Sequence, residues 1–166
     1  MYVTARILAV LITAGLLVAC GKPAGSPATV SSTQAMEPDN ASSRDFGDYV
    51  LHFTAIPTNS LTPEIARSYA ITRSANRVLL NVSILKKTEG GADVPVAGKV
   101  SASAVNLNGQ AKNLSVREIR EGEAIYYVGD VAISGEEALV FSVDAQPDGA
   151  TGVPLSVRFQ RQFYGN

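Results

Sequence analysis

The alternation of apolar and polar residues is the feature that most constrains what this chain can fold into. It is clearest near the end of the chain, where Ser156, Arg158, Gln160 and Gln162 alternate with apolar residues: Val153, Leu155, Val157, Phe159 and Phe163. A period of two is that of a β-strand with one buried face. The same pattern predicts strands at 49–53, 78–84, 125–133 and 139–143.

Turn and cap residues complete the fold prediction. Asn108-Gly109 joins two weaker strands, 99–107 and 110–119, and favours a two-residue type I′ hairpin because both central positions need a positive φ. Thr62 and Pro63 suit the cap and first turn of a helix of about eight residues. The chain is therefore predicted to be all-β: an immunoglobulin-like β-sandwich of about seven strands with one short helix. A small open β-barrel is the alternative.

The first 19 residues have the order of a secretory signal peptide. Arg6 precedes 13 mostly apolar residues that end in a small one, Ala19. A helix that crosses the hydrocarbon core needs roughly 20 apolar residues, so this stretch is too short to span. We therefore expect residues 1–19 to be removed.

Cys20 follows the apolar stretch in a run, Leu17-Val18-Ala19-Cys20-Gly21, that resembles the lipobox of bacterial lipoproteins. The resemblance implies cleavage before Cys20, a diacylglycerol on its thiol and acyl chains such as palmitate. An ordinary signal peptide with a chance cysteine is the alternative. Cys20 is the only cysteine of the chain, so an intramolecular disulfide is excluded. Because Gly21 stands where an aspartate tends to retain lipoproteins in the inner membrane, we expect the outer membrane, facing the periplasm.

Composition divides the rest of the chain. In residues 21–44, 16 of 24 are Gly, Ala, Pro, Ser or Thr, so we expect 20–44 to be a lipidated, disordered tether. A segment there that folds on meeting a partner is the alternative. Residues 45–166 suit a single domain. Without the signal, 13 basic residues face 15 acidic ones, and this net charge of −2 argues against nucleic-acid binding.

Catalytic and metal-binding patterns are sparse. His52 is the only histidine, its place in the alternation puts it on the outward face of the first strand, and no second histidine completes a metal site. No phosphate loop or EF-hand spacing occurs. The sequence therefore predicts no catalytic residue, metal or cofactor.

The densest charge run, 117–123, immediately precedes two tyrosines. Mixed charges are typical of a solvated strand end, where each ion pair contributes about 0–1 kcal/mol. The alternative is a recognition surface in which Tyr126 faces outward beside Arg117 and Glu123, since tyrosine and arginine are common at interface hot spots.

Several segments of the domain together resemble a family of small bacterial envelope proteins known as domain of unknown function 4426. The matching stretches are 46–49, 69–74, 80–82, 106–110, 117–127 and 159–164. The resemblance implies no activity, but it draws attention to Arg73, Asn76 and Asn81, polar groups that a sandwich core does not need. Members often carry an ordinary cleavable signal, so the predicted localisation depends on Cys20.

The expected function is a membrane-anchored, non-catalytic binding or assembly module that meets an envelope protein or glycan. Its predicted interaction surface contains six residues: Arg73, Asn76, Asn81, Arg117, Glu123 and Tyr126. One alternative is an enzyme that acts on an envelope polymer through Asp130 and Glu123. Another is a carrier of a metal or small ligand that uses His52 with Asp48 or nearby acids.

Overall fold

The structure, a computed structural model, describes residues 34–166. The predicted signal peptide, Cys20 and the first part of the predicted tether lie outside the described residues. A 3-10 turn at Thr58–Ser60 and helix α1 (Pro63–Ser68) follow the second strand. The strands are β1 (Ser43–Asp45), β2 (Tyr49–Pro57), β3 (Arg77–Lys86), β4 (Val94–Pro95), β5 (Gly98–Asn106), β6 (Ala111–Lys112), β7 (Arg117–Glu121), β8 (Ala124–Ala132), β9 (Glu136–Pro147) and β10 (Leu155–Tyr164).

The strands form two antiparallel sheets. One has the order β1-β2-β3-β8-β7, with β4 also paired to β3, and the other has the order β10-β9-β5-β6. The prediction of an all-β sandwich is confirmed, because residues 34–166 form two sheets and not the small open β-barrel of the alternative. Residues 34–166 form ten strands, three more than the seven predicted. Two of the three are β1 and β4, whose three and two residues are too few for a periodic pattern, and the third comes from the division of the predicted strand 110–119 into β6 and β7.

The core lies between the sheets and is built from the apolar half of each alternating strand. Phe53 of β2 packs 4.7 Å from Phe159 of β10, measured between ring centroids, and Phe159 lies 5.1 Å from Phe141 of β9. All three are at most 1% exposed. Burial of aromatic rings from both sheets holds the two layers together.

The single strand predicted at 110–119 is wrong. Ala111–Lys112 pairs with β5 in one sheet and Arg117–Glu121 pairs with β8 in the other, so the chain crosses between the sheets in between. Leu114 packs against the core during this crossing. The crossing chain passes close to Gly129, and a Cβ atom on Gly129 would lie 2.6 Å from the Ser115 carbonyl oxygen. The strand is therefore interrupted where the chain changes from one sheet to the other.

The predicted type I′ turn at Asn108-Gly109 is also wrong. Gly109 has φ +78° but Asn108 does not have a positive φ, and the Gly109 N–H donates to the Asn106 carbonyl. This is a turn through residues 107 and 108 followed by a glycine in the left-handed region, the usual three-residue hairpin loop. The Asn106 side chain favours it by accepting hydrogen bonds from the N–H groups of Asn108 and Gln110.

Helix α1 begins as predicted. The Thr62 hydroxyl accepts a hydrogen bond from the Ile65 N–H at 3.3 Å, and Pro63 opens the first turn. Within residues 34–166 there is no helix with the length and hydropathy that a membrane crossing needs.

The described part of the predicted tether, residues 34–44, contacts the domain. Met36 forms a bridge with Arg158 of β10, and the Glu37 N–H donates to the Arg158 carbonyl. Arg44 then forms an ion pair with Glu37. Contacts with the sandwich thus begin about ten residues before the predicted domain start at 45, because the otherwise unpaired edge of β10 offers backbone hydrogen bonds.

Candidate functional site

The outward face of the six-stranded sheet is only partly covered. The loop after helix α1 packs over one side, where Ile71 forms a small buried cluster with Leu79 and Val128. Next to that cluster, outward positions of β2 and β3 stay accessible. His52, at such a position, is exposed between buried Leu51 and Phe53, so its predicted outward orientation is confirmed.

The polar half of this accessible face is a concavity of about 160 Å³. Strand pairing creates it: Thr54 lies opposite Asn81, and His52 lies opposite Ser83. The Oδ1 atom of Asn81 is buried and has no hydrogen-bond partner within residues 34–166. The lining residues are Ser42, His52, Phe53, Thr54, Asn81 and Ser83.

An apolar half of about 270 Å³ adjoins the polar one and shares His52 and Ser83 with it. Tyr126 on β8 closes one side and packs against the cluster of Ile71, Leu79 and Val128. The lining residues are His52, Ser83, Leu85, Pro95, Ala124, Ile125 and Tyr126. We refer to the two halves together as the His52 groove.

The side chains that line the His52 groove are hydrogen-bonding and apolar groups. Its lining residues include hydroxyl groups, an amide, an imidazole and apolar surface, but no Asp, Glu, Lys or Arg. Within residues 34–166 no three His, Cys, Asp or Glu side chains are grouped as metal ligands would be. The described side chains therefore offer hydrogen bonds and apolar contact.

A second polar concavity, of about 420 Å³, lies at the β5–β6 hairpin, but its groups bond to one another. The Asn106 amide donates to Glu137 at 3.0 Å, and Lys112 forms an ion pair with the same carboxylate. Burial raises the pKa of Glu137, but the hydrogen bonds from Lys112 and Asn106 outweigh it, so the net shift is downward. This network holds the hairpin to the β8–β9 turn and leaves Glu137 already partnered.

Of the six residues predicted as an interaction surface, Asn81 and Tyr126 line the His52 groove. Arg117 lies beside it on β7 and donates a hydrogen bond to the Tyr69 carbonyl. The Tyr69 hydroxyl in turn donates to Glu121 at 2.7 Å. Burial first, and then this carboxylate, raise the pKa of Tyr69 to about 12. Arg117 thus helps to fasten the segment after α1 over the sheet.

The other three predicted residues lie elsewhere. Arg73 donates to the Asn59 carbonyl at the 3-10 turn, and Asn76 accepts from the N–H of Asn166 at the C-terminus. Glu123 is exposed in the turn between β7 and β8. The predicted surface is therefore not one continuous site.

The carboxylate pair of the enzyme alternative is wrong. Asp130 accepts a hydrogen bond from Arg77 at 2.6 Å and forms an ion pair with it. Glu123 lies seven residues earlier, at the other end of β8, which is about 23 Å along an extended strand. Two carboxylates so far apart cannot act on one bond.

The structure does not support the carrier alternative either. Asp48 lies in the turn before β2, four residues from His52. Within residues 34–166, the side chains of Asp48 and His52 form no hydrogen bond or ion pair with each other.

Sequence reasoning missed Thr54, Ser83, Leu85 and Pro95 as groove residues. The alternation places Thr54 and Ser83 on outward faces, which is a usable signal. Their meeting depends on the register of β2 against β3, which strand periodicity does not reveal.

The comparisons with known proteins agree with the fold. A family described as "Domain of unknown function (DUF4426)" matches residues 43–166. A crystal structure of a DUF4426 family protein from Pseudomonas aeruginosa PAO1 has 27% identity and a TM-score of 0.63, covering 75% of this chain and 94% of that one.

Two structures of FetP from uropathogenic Escherichia coli strain F11 are more distant. A copper-bound variant has 16% identity and a TM-score of 0.49, covering 75% of this chain and 95% of that one. FetP as isolated after expression in the periplasm has 17% identity and a TM-score of 0.48, covering 75% and 93%. No curated protein matches the sequence.

Proposed function

This chain belongs to the DUF4426 family, a domain of unknown function, and from its own geometry we propose that it is a non-catalytic module that binds a neutral glycan of the bacterial envelope in the His52 groove. The observation that carries the proposal is the buried Asn81 Oδ1 atom, which has no partner within residues 34–166. A buried polar atom without a hydrogen bond costs free energy and calls for an explanation. A ligand hydroxyl or amide that donates to Asn81 supplies one when the buried Asn81 amide turns toward the groove.

The two halves of the groove favour a sugar over a charged or purely apolar ligand. Ser83, Thr54 and His52 surround Asn81 with groups that donate and accept hydrogen bonds, as a ring of hydroxyls requires. Leu85 and Tyr126 offer apolar surface beside them, suited to the C–H face of the same ring. The lining residues include no Asp, Glu, Lys or Arg, so the preferred sugar is neutral.

The location forms a second part of the proposal. The lipobox-like run ending in Cys20 supports a lipid anchor, and Gly21 supports the outer membrane, with the sandwich facing the periplasm. Several acyl chains hold a protein at a membrane stably, whereas one holds it weakly. Such an anchor keeps the His52 groove near the envelope polymers.

Titration of the full-length chain in detergent with a trimer of N-acetylglucosamine, a neutral glycan, tests the groove. We expect saturable binding that weakens at least tenfold in Asn81→Leu and by a smaller factor in Ser83→Ala. Ser103→Ala is the matched control, since Ser103 lies opposite Ser142 in the other sheet. Equal affinity in all variants, or no binding to the wild-type chain, would overturn the proposal.

Labelling of cells with radioactive palmitate tests the anchor. The wild-type chain is expected to take up label, and Cys20→Ser is expected to take up none. Gly21→Asp should move the labelled protein from outer-membrane to inner-membrane fractions of a density gradient. Label in Cys20→Ser would contradict lipidation, and an unchanged gradient position would contradict the role of Gly21.

A further inference from the structure

Strand β7 is the last strand on one side of the six-stranded sheet. The turn Gly122-Glu123 has two residues, with Gly122 at φ +59°, so the flanking residues Glu121 and Ala124 form a hydrogen-bonded pair. Every second residue of β7 then bonds to β8, and the backbone groups of Glu118 and Arg120 point away from it. These groups have no backbone partner within residues 34–166, which leaves an open sheet edge.

The side chains along this edge have an order that complements itself. The sequence is Arg117-Glu118-Ile119-Arg120-Glu121. If a second copy of β7 runs antiparallel with Ile119 opposite Ile119, each arginine lies opposite a glutamate. Opposite charges across a strand pair are favourable, and like charges directly opposite are unfavourable.

The backbone restricts the register in the same direction. In β7, only Glu118 and Arg120 carry N–H and C=O groups that are free within the described chain. In an antiparallel pair, either residue of one copy must therefore lie opposite Glu118 or Arg120 of the other copy. Glu118 opposite Glu118, or Arg120 opposite Arg120, brings like charges together. Glu118 opposite Arg120 satisfies both the backbone and the charges.

We propose that β7 pairs antiparallel with β7 of a second copy of this chain about a two-fold axis at Ile119, which joins the two six-stranded sheets into one. The contact is isologous, as in most homodimers. It forms four backbone hydrogen bonds between Glu118 and Arg120 of the two copies. Arg117 and Glu121 meet on the outward face, beside their present contacts with Tyr69.

A five-residue seam is smaller than a standard stable interface, so the association is weak in dilute solution. Cross-linking captures such a contact and also reports its register. Residues opposite each other in a non-hydrogen-bonded pair have Cα atoms about 4.5 Å apart, within the range of a disulfide. Residues offset diagonally lie roughly 7–8 Å apart, too far for one.

The first test uses the full chain in intact cells treated with a mild oxidant. Ile119→Cys is expected to give a reducible band at twice the monomer mass, and Glu118→Cys and Arg120→Cys are expected to give little. The wild-type chain shows any band that Cys20 produces by itself. Preferential linkage of Glu118→Cys or Arg120→Cys would overturn the register. Linkage of none of them above the wild-type background, with all variants folded by circular dichroism, would overturn the dimer.

The second test exchanges charges in the full chain, with the fraction of dimer measured by sedimentation in detergent. Glu118→Arg alone and Arg120→Glu alone each place like charges opposite, and each should weaken the dimer at least tenfold. A mixture of these two variants should dimerise again, as should the chain that carries both changes. Association that ignores the charges would overturn the pairing. The mixture keeps the test valid even though Glu118 already forms an ion pair with Arg120 of its own strand and accepts a hydrogen bond from Tyr127.

Discussion

Asn81→Leu is expected to raise the free energy of unfolding while it removes glycan binding. The reason is that the Asn81 Oδ1 atom is buried without a partner in the described chain, between Thr54 on β2 and Val128 on β8. Folding takes this carbonyl out of water and returns no hydrogen bond. Leucine has a similar size and offers apolar contact to buried Val128.

The size of the expected change in the free energy of unfolding follows from the cost of the unpaired Asn81 carbonyl. A buried, unsatisfied acceptor costs about 1–3 kcal/mol. Since Asn81 is only partly buried as a residue, we expect the lower part of that range, a gain of about 1–2 kcal/mol. For a chain of this size that corresponds to a rise in melting temperature of roughly 3–6 °C. Stability gained at the expense of binding is the usual trade at a functional site.

Asn106, a buried asparagine whose side chain is hydrogen-bonded, is the matched control. Asn106 is 7% exposed, but its side chain makes four hydrogen bonds, including 2.9 Å from the Gln110 N–H and 3.0 Å to Glu137. Asn106→Leu removes them and leaves a carboxylate short of a donor, so we expect a loss of about 2–4 kcal/mol.

Urea unfolding of the two full-length variants, followed by circular dichroism, measures both effects. Opposite signs for Asn81→Leu and Asn106→Leu support the reasoning. A loss above about 1 kcal/mol in Asn81→Leu would refute it, because that loss means that Oδ1 already has a partner.

Three further predictions concern other parts of the sandwich. The pKa of Glu137 is lowered from 4.5 in the folded state, so ionised Glu137 adds to the free energy of unfolding above pH 4.5. This stabilisation is lost as the pH falls through the lower, folded pKa, and Glu137→Gln should flatten the decline in acid unfolding curves. Gly98→Ala should cost about 1–3 kcal/mol in urea unfolding, since its Cβ would overlap the Gln146 carbonyl. Glu121→Gln should lower the pKa of Tyr69 from about 12 toward 10.0, but not to 10.0, because Tyr69 stays partly buried. An ultraviolet titration of the variant against the wild-type chain measures this change.

The sequence by itself determined the local features of this protein. Leu51, His52 and Phe53 alternate between buried and exposed because successive side chains of a strand point to opposite faces. Thr62 and Pro63 start a helix because a hydroxyl cap and a proline suit the first turn wherever the helix packs. Both rules act over a few neighbouring residues, so they can be applied before any fold is known.

Only the tertiary structure decided which of these faces meet. Asn81 became an unpaired group in a groove because β3 lies between β2 and β8 in one register, which brings Thr54 and Val128 to its sides. The stretch 110–119 became two strands in different sheets, with Leu114 packed against the core between them. Pairing and packing join residues far apart in sequence, and their free energy depends on all the elements at once.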